Sequence, residues 1–258
     1  VCSSYLPFTV TEINYTFPNK YRSEGGPLVG AYASLQDWDA IYRFAWAHDR
    51  QSILREKPIN GFDTVRDPVN TIADKIVHFM FVRGDVKAAK TAIALPFSQK
   101  TYEKNVASNL IHFPAGFELA GLSYRVGVAS ANANIPGVNI VPEGKAWQSY
   151  LPESAKNLMD NAGTYTGENG EIIYDQKKKL FSVISPRTES FVLSSGSVSG
   201  KVLKVENADS FQTVSASSID GDKELAASSK ILVFHQTDAT NLGIRFSSEA
   251  LSTVEAWG

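Results

Sequence analysis

The chain has 258 residues, enough for one large domain or two ordinary ones, and 43% of them are hydrophobic and 20% charged, a mixture typical of globular proteins. Its 25 basic and 27 acidic side chains give a formal net charge of −2, so it lacks the basic surface by which proteins hold nucleic acid. No apolar run approaches the roughly 18 residues that a transmembrane helix requires. We therefore expect neither nucleic acid nor a membrane span among its partners.

Cysteine and histidine are too few and too scattered for a metal centre. The single Cys2 excludes an intrachain disulfide and a cysteine-rich zinc site. The four histidines lack metal-ligand spacing, and the glycines form neither a Walker pattern nor a Gly-x-Gly-x-x-Gly loop. We expect no metal and no cofactor.

The first third of the chain alternates strand and helix patterns. Residues 8–12 are β-favouring and end on a carboxylate, and residues 28–38 follow with apolar side chains at helical spacing. Residues 40–46 form a second β-favouring run that ends on a large aromatic side chain. Asp67 and Pro68 then supply an N-cap and a first-turn proline for the strongest helical pattern. A strand–helix–strand–helix unit of this kind cannot bury its apolar faces alone.

After residue 85 the pattern changes to short β-favouring runs separated by Gly, Pro, Asn and Ser clusters, as in a β-sandwich. Residues 91–96 are predicted to be its first strand, and hairpins are predicted after residue 163. The chain is therefore expected to combine an α/β part, residues 1–88, with an all-β part, residues 89–258, that begins with an irregular segment, 97–162.

Glu12 is the leading candidate for a catalytic residue. A carboxylate at the carboxyl end of a strand, followed by a loop and a helix, is where α/β barrels keep their catalytic groups. Retaining glycosidases use two such carboxylates about 5–5.5 Å apart, one as nucleophile and one as acid/base. Two interpretations stay open for Glu12, namely a nucleophile or a residue that merely ends an exposed strand, and local physics alone favours the second.

Four further residues are candidates for substrate binding. Trp46 ends the second predicted strand, where an indole face can stack on a sugar ring, although an ordinary core or rim tryptophan is about as plausible. Asn14 and Tyr15 follow Glu12 and either hydrogen-bond a substrate, orient Glu12 or simply begin the loop. His48 is the one histidine near this proposed cleft.

Four runs in the first 46 residues carry a family resemblance. They are Thr11-Glu12-Ile-Asn14-Tyr15, Phe17-Pro18-Asn19-Lys-Tyr21-Arg22-x-Glu24, Tyr32-Ala33-Ser-Leu35-Gln36-Asp37-Trp38-Asp39 and Phe44-Ala45-Trp46. Together they resemble the last quarter of a TIM-barrel retaining glycoside hydrolase. The resemblance implies that 8–12 and 41–46 are barrel strands seven and eight, and that 24–37 and 68–83 are their helices. It also implies that Glu12 is the nucleophile and Trp46 the sugar platform.

The rest of the chain resembles the β-sandwich that follows such barrels in many bacterial members. The similar stretches are 170–175, 180–188, 215–221 and 228–233. The resemblance thereby implies a carbohydrate substrate and a secreted or periplasmic location.

Barrel strands one to six, with the Asn-Glu pair of the acid/base, have no counterpart in this resemblance. Both ends of the chain accordingly suggest truncation, and we expect the polypeptide alone to lack appreciable glycosidase activity, since a nucleophile needs its acid partner.

The apolar faces left uncovered predict either a barrel-completing chain or a homo-oligomer. A non-catalytic carbohydrate-binding or interaction module, with the sandwich as its functional unit, is the alternative, and an esterase ranks last because the chain has no Gly-x-Ser-x-Gly elbow.

Overall fold

The computed structural model describes residues 2–3, 7–56, 60–108, 113–130, 132–153, 163–207, 209–247 and 253–258. Its strands are β1 (Cys2–Ser3), β2 (Thr9–Ile13), β3 (Ala40–Arg43), β4 (Ala92–Phe97), β5 (Arg125–Ser130), β6 (Val138–Ile140), β7 (Thr164–Thr166), β8 (Ile172–Asp175), β9 (Leu180–Ile184), β10 (Thr188–Leu193), β11 (Gly196–Ser199), β12 (Lys204–Asn207), β13 (Gln212–Ser218), β14 (Ile231–Thr237), β15 (Ile244–Phe246) and β16 (Val254–Trp257). Its α-helices are α1 (Gly25–Leu35), α2 (Arg50–Leu54), α3 (Pro68–Val77), α4 (Gln99–Ser108) and α5 (Phe117–Ala120).

The amino-terminal third has the predicted strand–helix–strand–helix order. β2 and β3 pair in parallel, with Val10 beside Ile41 and Ile13 beside Arg43, and α1 connects them. The helix predicted at 68–83 runs as α3 and then continues as one π-helical turn, His78–Val82. The strands and helices predicted for this third are present, but the second strand ends at Arg43 and leaves 44–46 outside it. Within the described residues β2 and β3 pair only with each other.

Helix α3 begins where its capping residues place it. The Asp67 carboxylate accepts a hydrogen bond from the Val69 backbone nitrogen at 3.1 Å, and Pro68 occupies the first turn. α1 crosses α3 at Gly26. The two backbones are so close there that a Cβ on Gly26 would lie 2.9 Å from the Ala73 backbone. This close approach lets the two helices form one layer.

Six strands of the carboxyl-terminal part form an antiparallel sheet in the order β14-β13-β10-β9-β8-β7. One face of this sheet packs against the helices α1 and α3, and the other packs against the β11–β12 hairpin. The first core contains the buried residues Ala31, Leu35, Ile76, Met80, Val86, Ala89, Ile172, Phe181, Val183 and Val192. The hairpins predicted after residue 163 are thus present, but helices rather than a second sheet cover one face.

The middle of the chain differs from the prediction. β4, which corresponds to the strand expected at 91–96, does not join the antiparallel sheet. It lies in a parallel sheet of order β1-β5-β4-β6. The segment 97–162, expected to be irregular, contains α4, α5, β5, β6 and a 3₁₀ turn, and Phe117, Tyr124 and Trp147 form part of its own core. The physical reason is that strands of a parallel sheet are covered on both faces, so their sequences are continuous apolar runs. A local sequence pattern does not distinguish such a run from a strand of a β-sandwich.

Candidate functional site

Four aromatic side chains lie exposed at and after the carboxyl end of β3. The exposed fractions are 59% for Tyr42, 39% for Phe44, 63% for Trp46 and 50% for Phe62. The Phe44 and Phe62 rings meet edge-on with centroids 6.1 Å apart. We call these four residues the aromatic surface.

The backbone of the aromatic surface is held by hydrogen bonds between two loop segments. The Ala45 nitrogen donates to the Phe62 carbonyl at 2.7 Å, and the Thr64 nitrogen donates to the Ala45 carbonyl at 3.1 Å. The Val65 nitrogen donates to the Trp46 carbonyl at 3.1 Å. The segment that carries Trp46 is therefore positioned by the segment that carries Phe62.

Asn14 joins the carboxyl ends of β2 and β3. Its Nδ2 donates to the carbonyl of Phe44 at 2.7 Å and to that of Phe62 at 2.9 Å. The Phe44 nitrogen in turn donates to the Ile13 carbonyl at 3.1 Å. Both amide hydrogens of Asn14 are thus engaged by backbone, so this residue positions the aromatic surface, and the substrate contact expected of it stays a prediction.

Tyr15 lies beneath the site. Only 7% of it is exposed, the Arg43 guanidinium lies 3.7 Å from its ring centroid, and its ring packs on Gly25, where any Cβ would collide with it. Burial raises the pKa of its hydroxyl, which has no hydrogen-bond partner among the described residues. Its side chain therefore lies in the packing that supports β3, away from the exposed edge where a substrate contact was expected.

Arg43, which the sequence analysis did not single out, connects the site to helix α3. Its Nη2 donates to Oδ1 of Asn70 at 2.6 Å, and its Nε lies 2.9 Å from Oδ1 of Asp74. Burial raises the pKa of the Asp74 carboxyl, and the adjacent guanidinium only partly offsets this effect. An arginine in the middle of the β-favouring run 40–46 was the only sequence signal for this network.

His48 is joined to a carboxylate that the sequence analysis also missed. Its Nδ1 lies 2.6 Å from Oδ1 of Asp63, and its backbone nitrogen donates to the same oxygen at 3.0 Å. Burial alone would raise the pKa of Asp63, but the hydrogen bonds from His48 and Ser52 together outweigh it and hold the pKa below its ordinary value. The His48 ring packs edge-on against Phe44 with centroids 5.2 Å apart, so it adjoins the aromatic surface.

Glu12 lies at the carboxyl end of β2 as predicted, and it is exposed. Its carboxylate makes no hydrogen bond or ion pair with another described residue. The pairing of β2 with β3 shifts register between Val10 and Ile13, next to this residue. Glu12, Asn14, Trp46 and His48 consequently share one edge of the parallel strand pair, and Tyr15 lies below it.

Among the described residues, no group of three or more His, Cys, Asp or Glu side chains is arranged to hold a metal ion. In the same part of the chain no helix has the length and apolar character needed to cross a membrane.

The chain matches no protein-family model, and no curated protein and no solved structure shows significant similarity to it.

Proposed function

We propose that this chain is part of a retaining glycoside hydrolase, in which Glu12 is the nucleophile and the aromatic surface around Trp46 receives the sugar. One observation carries the proposal. An exposed carboxylate and four exposed aromatic rings occur at the same carboxyl edge of two parallel strands, which Asn14 joins side chain to backbone. Catalytic groups of parallel α/β proteins are found at this edge.

The exposed rings favour a carbohydrate over other substrates. Large aromatic side chains lose favourable burial when they stay in water, so a group of four marks a binding surface. A pyranose ring has an apolar face that suits an aromatic ring and hydroxyl groups around its edge that suit carboxylates and imidazoles. His48, held by Asp63, supplies a polar group next to Phe44.

The chemistry assigned to Glu12 is the first half of a double displacement. A carboxylate oxygen of Glu12 attacks the anomeric carbon, the bond from that carbon to the leaving oxygen breaks, and a glycosyl ester forms. An ordinary sugar leaving group needs a proton from an acid at this step, and water with base assistance later cleaves the ester. We assign that acid/base to a barrel-completing part that supplies the other strands.

The order of elements supports the barrel assignment. β2, α1, β3 and α3 follow one another as strand seven, helix seven, strand eight and helix eight would, and both strands have an unpaired edge within the described residues. We extend the proposal to a barrel-completing chain or a second copy as the partner at these edges, and to a secreted or periplasmic location.

The alternative, a non-catalytic binding module in the all-β part, is less well supported. In the described residues from 163 onward the only large aromatic side chain among the exposed hydrophobics is Trp257, which is 38% exposed and stacks on Phe17 with centroids 5.8 Å apart. Exposed aromatic rings are therefore concentrated on the amino-terminal part.

Covalent labelling tests the role of Glu12 without the missing acid. A 2-deoxy-2-fluoroglycosyl fluoride needs no protonation, because fluoride leaves unaided when the carboxylate attacks, and the 2-fluoro group slows hydrolysis of the ester. The wild-type chain is incubated separately with the β-gluco, β-galacto, β-xylo and β-manno reagents. We expect intact-mass spectrometry to show one added fluoroglycosyl group with at least one of them, and peptide mapping to locate that group on Glu12. Glu12→Gln should abolish the label.

Glu56→Gln is the matched control, because Glu56 is an exposed carboxylate on the segment between Trp46 and Phe62. It should label like the wild type. Absence of any label on the wild-type chain, or a label that survives Glu12→Gln, would overturn the assignment of the nucleophile.

A further inference from the structure

A second candidate binding site lies away from the aromatic surface. A cavity of about 810 Å³ opens between the start of α1 and the six-stranded sheet. Its lining includes Lys20, Tyr21, Glu24, Lys179, Phe181 and Phe211, and none of its lining residues belongs to the aromatic surface. We propose that this cavity binds a neutral oligosaccharide as a secondary site, an inference that rests on the proposed carbohydrate function.

The size and position of the cavity are those of a ligand site. Ligand pockets span about 300–1,000 Å³ and occur preferentially where two structural units meet. This cavity lies where the helical layer meets the sheet, and its floor is apolar, since Phe181, Val192 and Leu193 are almost fully buried. An apolar floor with polar groups around it is the common design of small-molecule sites.

One wall carries an exposed aromatic ring in a fixed orientation. Tyr21 is 39% exposed and meets Phe211 edge-on with ring centroids 4.9 Å apart. The Lys20 ammonium lies 4.8 Å from the Tyr21 ring centroid and 3.8 Å from Oδ2 of Asp238. The ring is therefore held in place and leaves part of its surface for an apolar face of a ligand.

The charged groups of the cavity have both signs and come from four segments of the chain, one of which carries the Asp238 described above. Glu24 is half-buried with no side-chain hydrogen bond to another described residue, and Lys179 stands on the turn between β8 and β9 with its ammonium likewise unpaired among them. Asp209 lies on a third side. A strongly charged ligand would meet a like charge here, whereas hydroxyl groups can donate to Glu24 and accept from Lys179.

The wall that carries Tyr21 is preformed. The Ala239 nitrogen donates to the Lys20 carbonyl at 3.1 Å, and the Ser23 hydroxyl lies 2.9 Å from that of Thr213. Arg22 donates to the Ala239 carbonyl as well. A cavity whose walls are already ordered loses little conformational entropy on binding. Two sites on one chain would also give a polysaccharide an avidity that short sugars lack.

The test is titration calorimetry of the full chain with cellohexaose, laminarihexaose, xylohexaose and β-1,4-galactohexaose. We expect at least one of these to bind at two sites. Trp46→Ala should remove only the site on the aromatic surface. Tyr21→Ala and Lys179→Asn should each weaken only the cavity site, by at least 10-fold.

Lys179→Asn keeps the turn, because Lys179 has a positive φ of 50° and asparagine tolerates that conformation. The Lys179→Asn variant therefore still tests the cavity site if Tyr21→Ala disturbs the fold. Lys177→Asn is the matched control, since Lys177 is exposed on the same turn and does not line the cavity, and it should bind like the wild type.

The outcomes separate the two proposals. Binding that Trp46→Ala abolishes completely would overturn the cavity site and leave the proposed function standing. Binding that Trp46→Ala leaves intact and Lys179→Asn removes would support the cavity and count against the aromatic surface. If none of the four hexasaccharides binds to the wild-type chain, the cavity proposal is wrong, while labelling of Glu12 still decides the proposed function.

Discussion

The Nδ1 atom of His48 lies 2.6 Å from Oδ1 of Asp63, a carboxylate whose side chain is only 7% exposed. The same oxygen accepts the His48 backbone N–H at 3.0 Å. The pair fixes the imidazole next to Phe44 and so orders one side of the aromatic surface.

Asp63→Asn is expected to lower the free energy of unfolding at pH 7 by about 1–3 kcal/mol, the usual loss for a buried hydrogen bond to a charged group. The pKa of Asp63 is held below its unfolded value. Its stabilisation is therefore fully present above the unfolded pKa of about 4 and is lost as pH falls through the folded value. Urea unfolding of both proteins at pH 7, 5 and 3 should show the difference shrinking at pH 3. A difference that stays constant with pH, or one matched by Glu56→Gln, would contradict this expectation.

Tyr15→Phe is expected to leave the unfolding free energy unchanged or to raise it by up to about 1 kcal/mol, because the removed hydroxyl is buried without a partner among the described residues. Tyr15→Ala should cost about 3–5 kcal/mol, since it empties the space between Arg43 and Gly25. Thermal unfolding and hexasaccharide titration of both variants check this. Weaker sugar binding by a fully folded Tyr15→Phe protein would restore the substrate contact predicted for this hydroxyl.

Arg22 and Asp67 form a buried ion pair, with Nε to Oδ2 at 2.6 Å and Nη2 to Oδ1 at 2.9 Å. Arg22→Met should lower the unfolding free energy by about 3–5 kcal/mol, because it leaves a buried carboxylate without its cation. Denaturant unfolding at low and high salt should give the same loss, since buried pairs are little screened. The exposed pair of Lys204 and Glu206 is the control, and Lys204→Ala should change stability by less than about 1 kcal/mol.

Glu189 is buried on β10 and receives three backbone N–H groups, from Lys201 at 2.7 Å, Val202 at 3.1 Å and Leu203 at 2.7 Å. Glu189→Gln should cost about 1.5–3 kcal/mol, because the amide turns donor hydrogens towards other donors. Gly200→Ala should also destabilise the fold, since its Cβ would lie 2.3 Å from Oε2 of Glu189. Chemical unfolding measures both losses. Glu206→Gln, at an exposed position of β12, should be near neutral, and an equal loss there would refute the assigned role of Glu189.

Elements with strong local signals could be predicted from the sequence. α3 begins at Pro68 because Asp67 caps it and proline suits the first turn, and both residues are adjacent in the chain. The hairpin of β8 and β9 likewise depends on two β-favouring runs and a short polar turn between them. Glu12 and Trp46 were found for the same reason, since each ends a β-favouring run.

Pairings between distant segments were not predictable in this way. β1 at Cys2 pairs with β5 at Gly127, and nothing local in either run encodes that partnership. α4 contains no buried residue, so it lacks the apolar stripe that would have indicated a helix in the segment expected to be irregular.

The same distinction between local signals and distant pairings applies to the candidate site. By itself the sequence determined that a carboxylate lies at the end of one strand and that an aromatic residue follows the next strand, because strand patterns are local. Only the tertiary structure decided that Asn14 bonds to the carbonyls of Phe44 and Phe62, that Tyr15 is buried beneath Arg43, and that Asp63 holds His48. Such contacts join residues that are 15 to 48 positions apart, and they form only when the packing of helix and strand has brought those positions together.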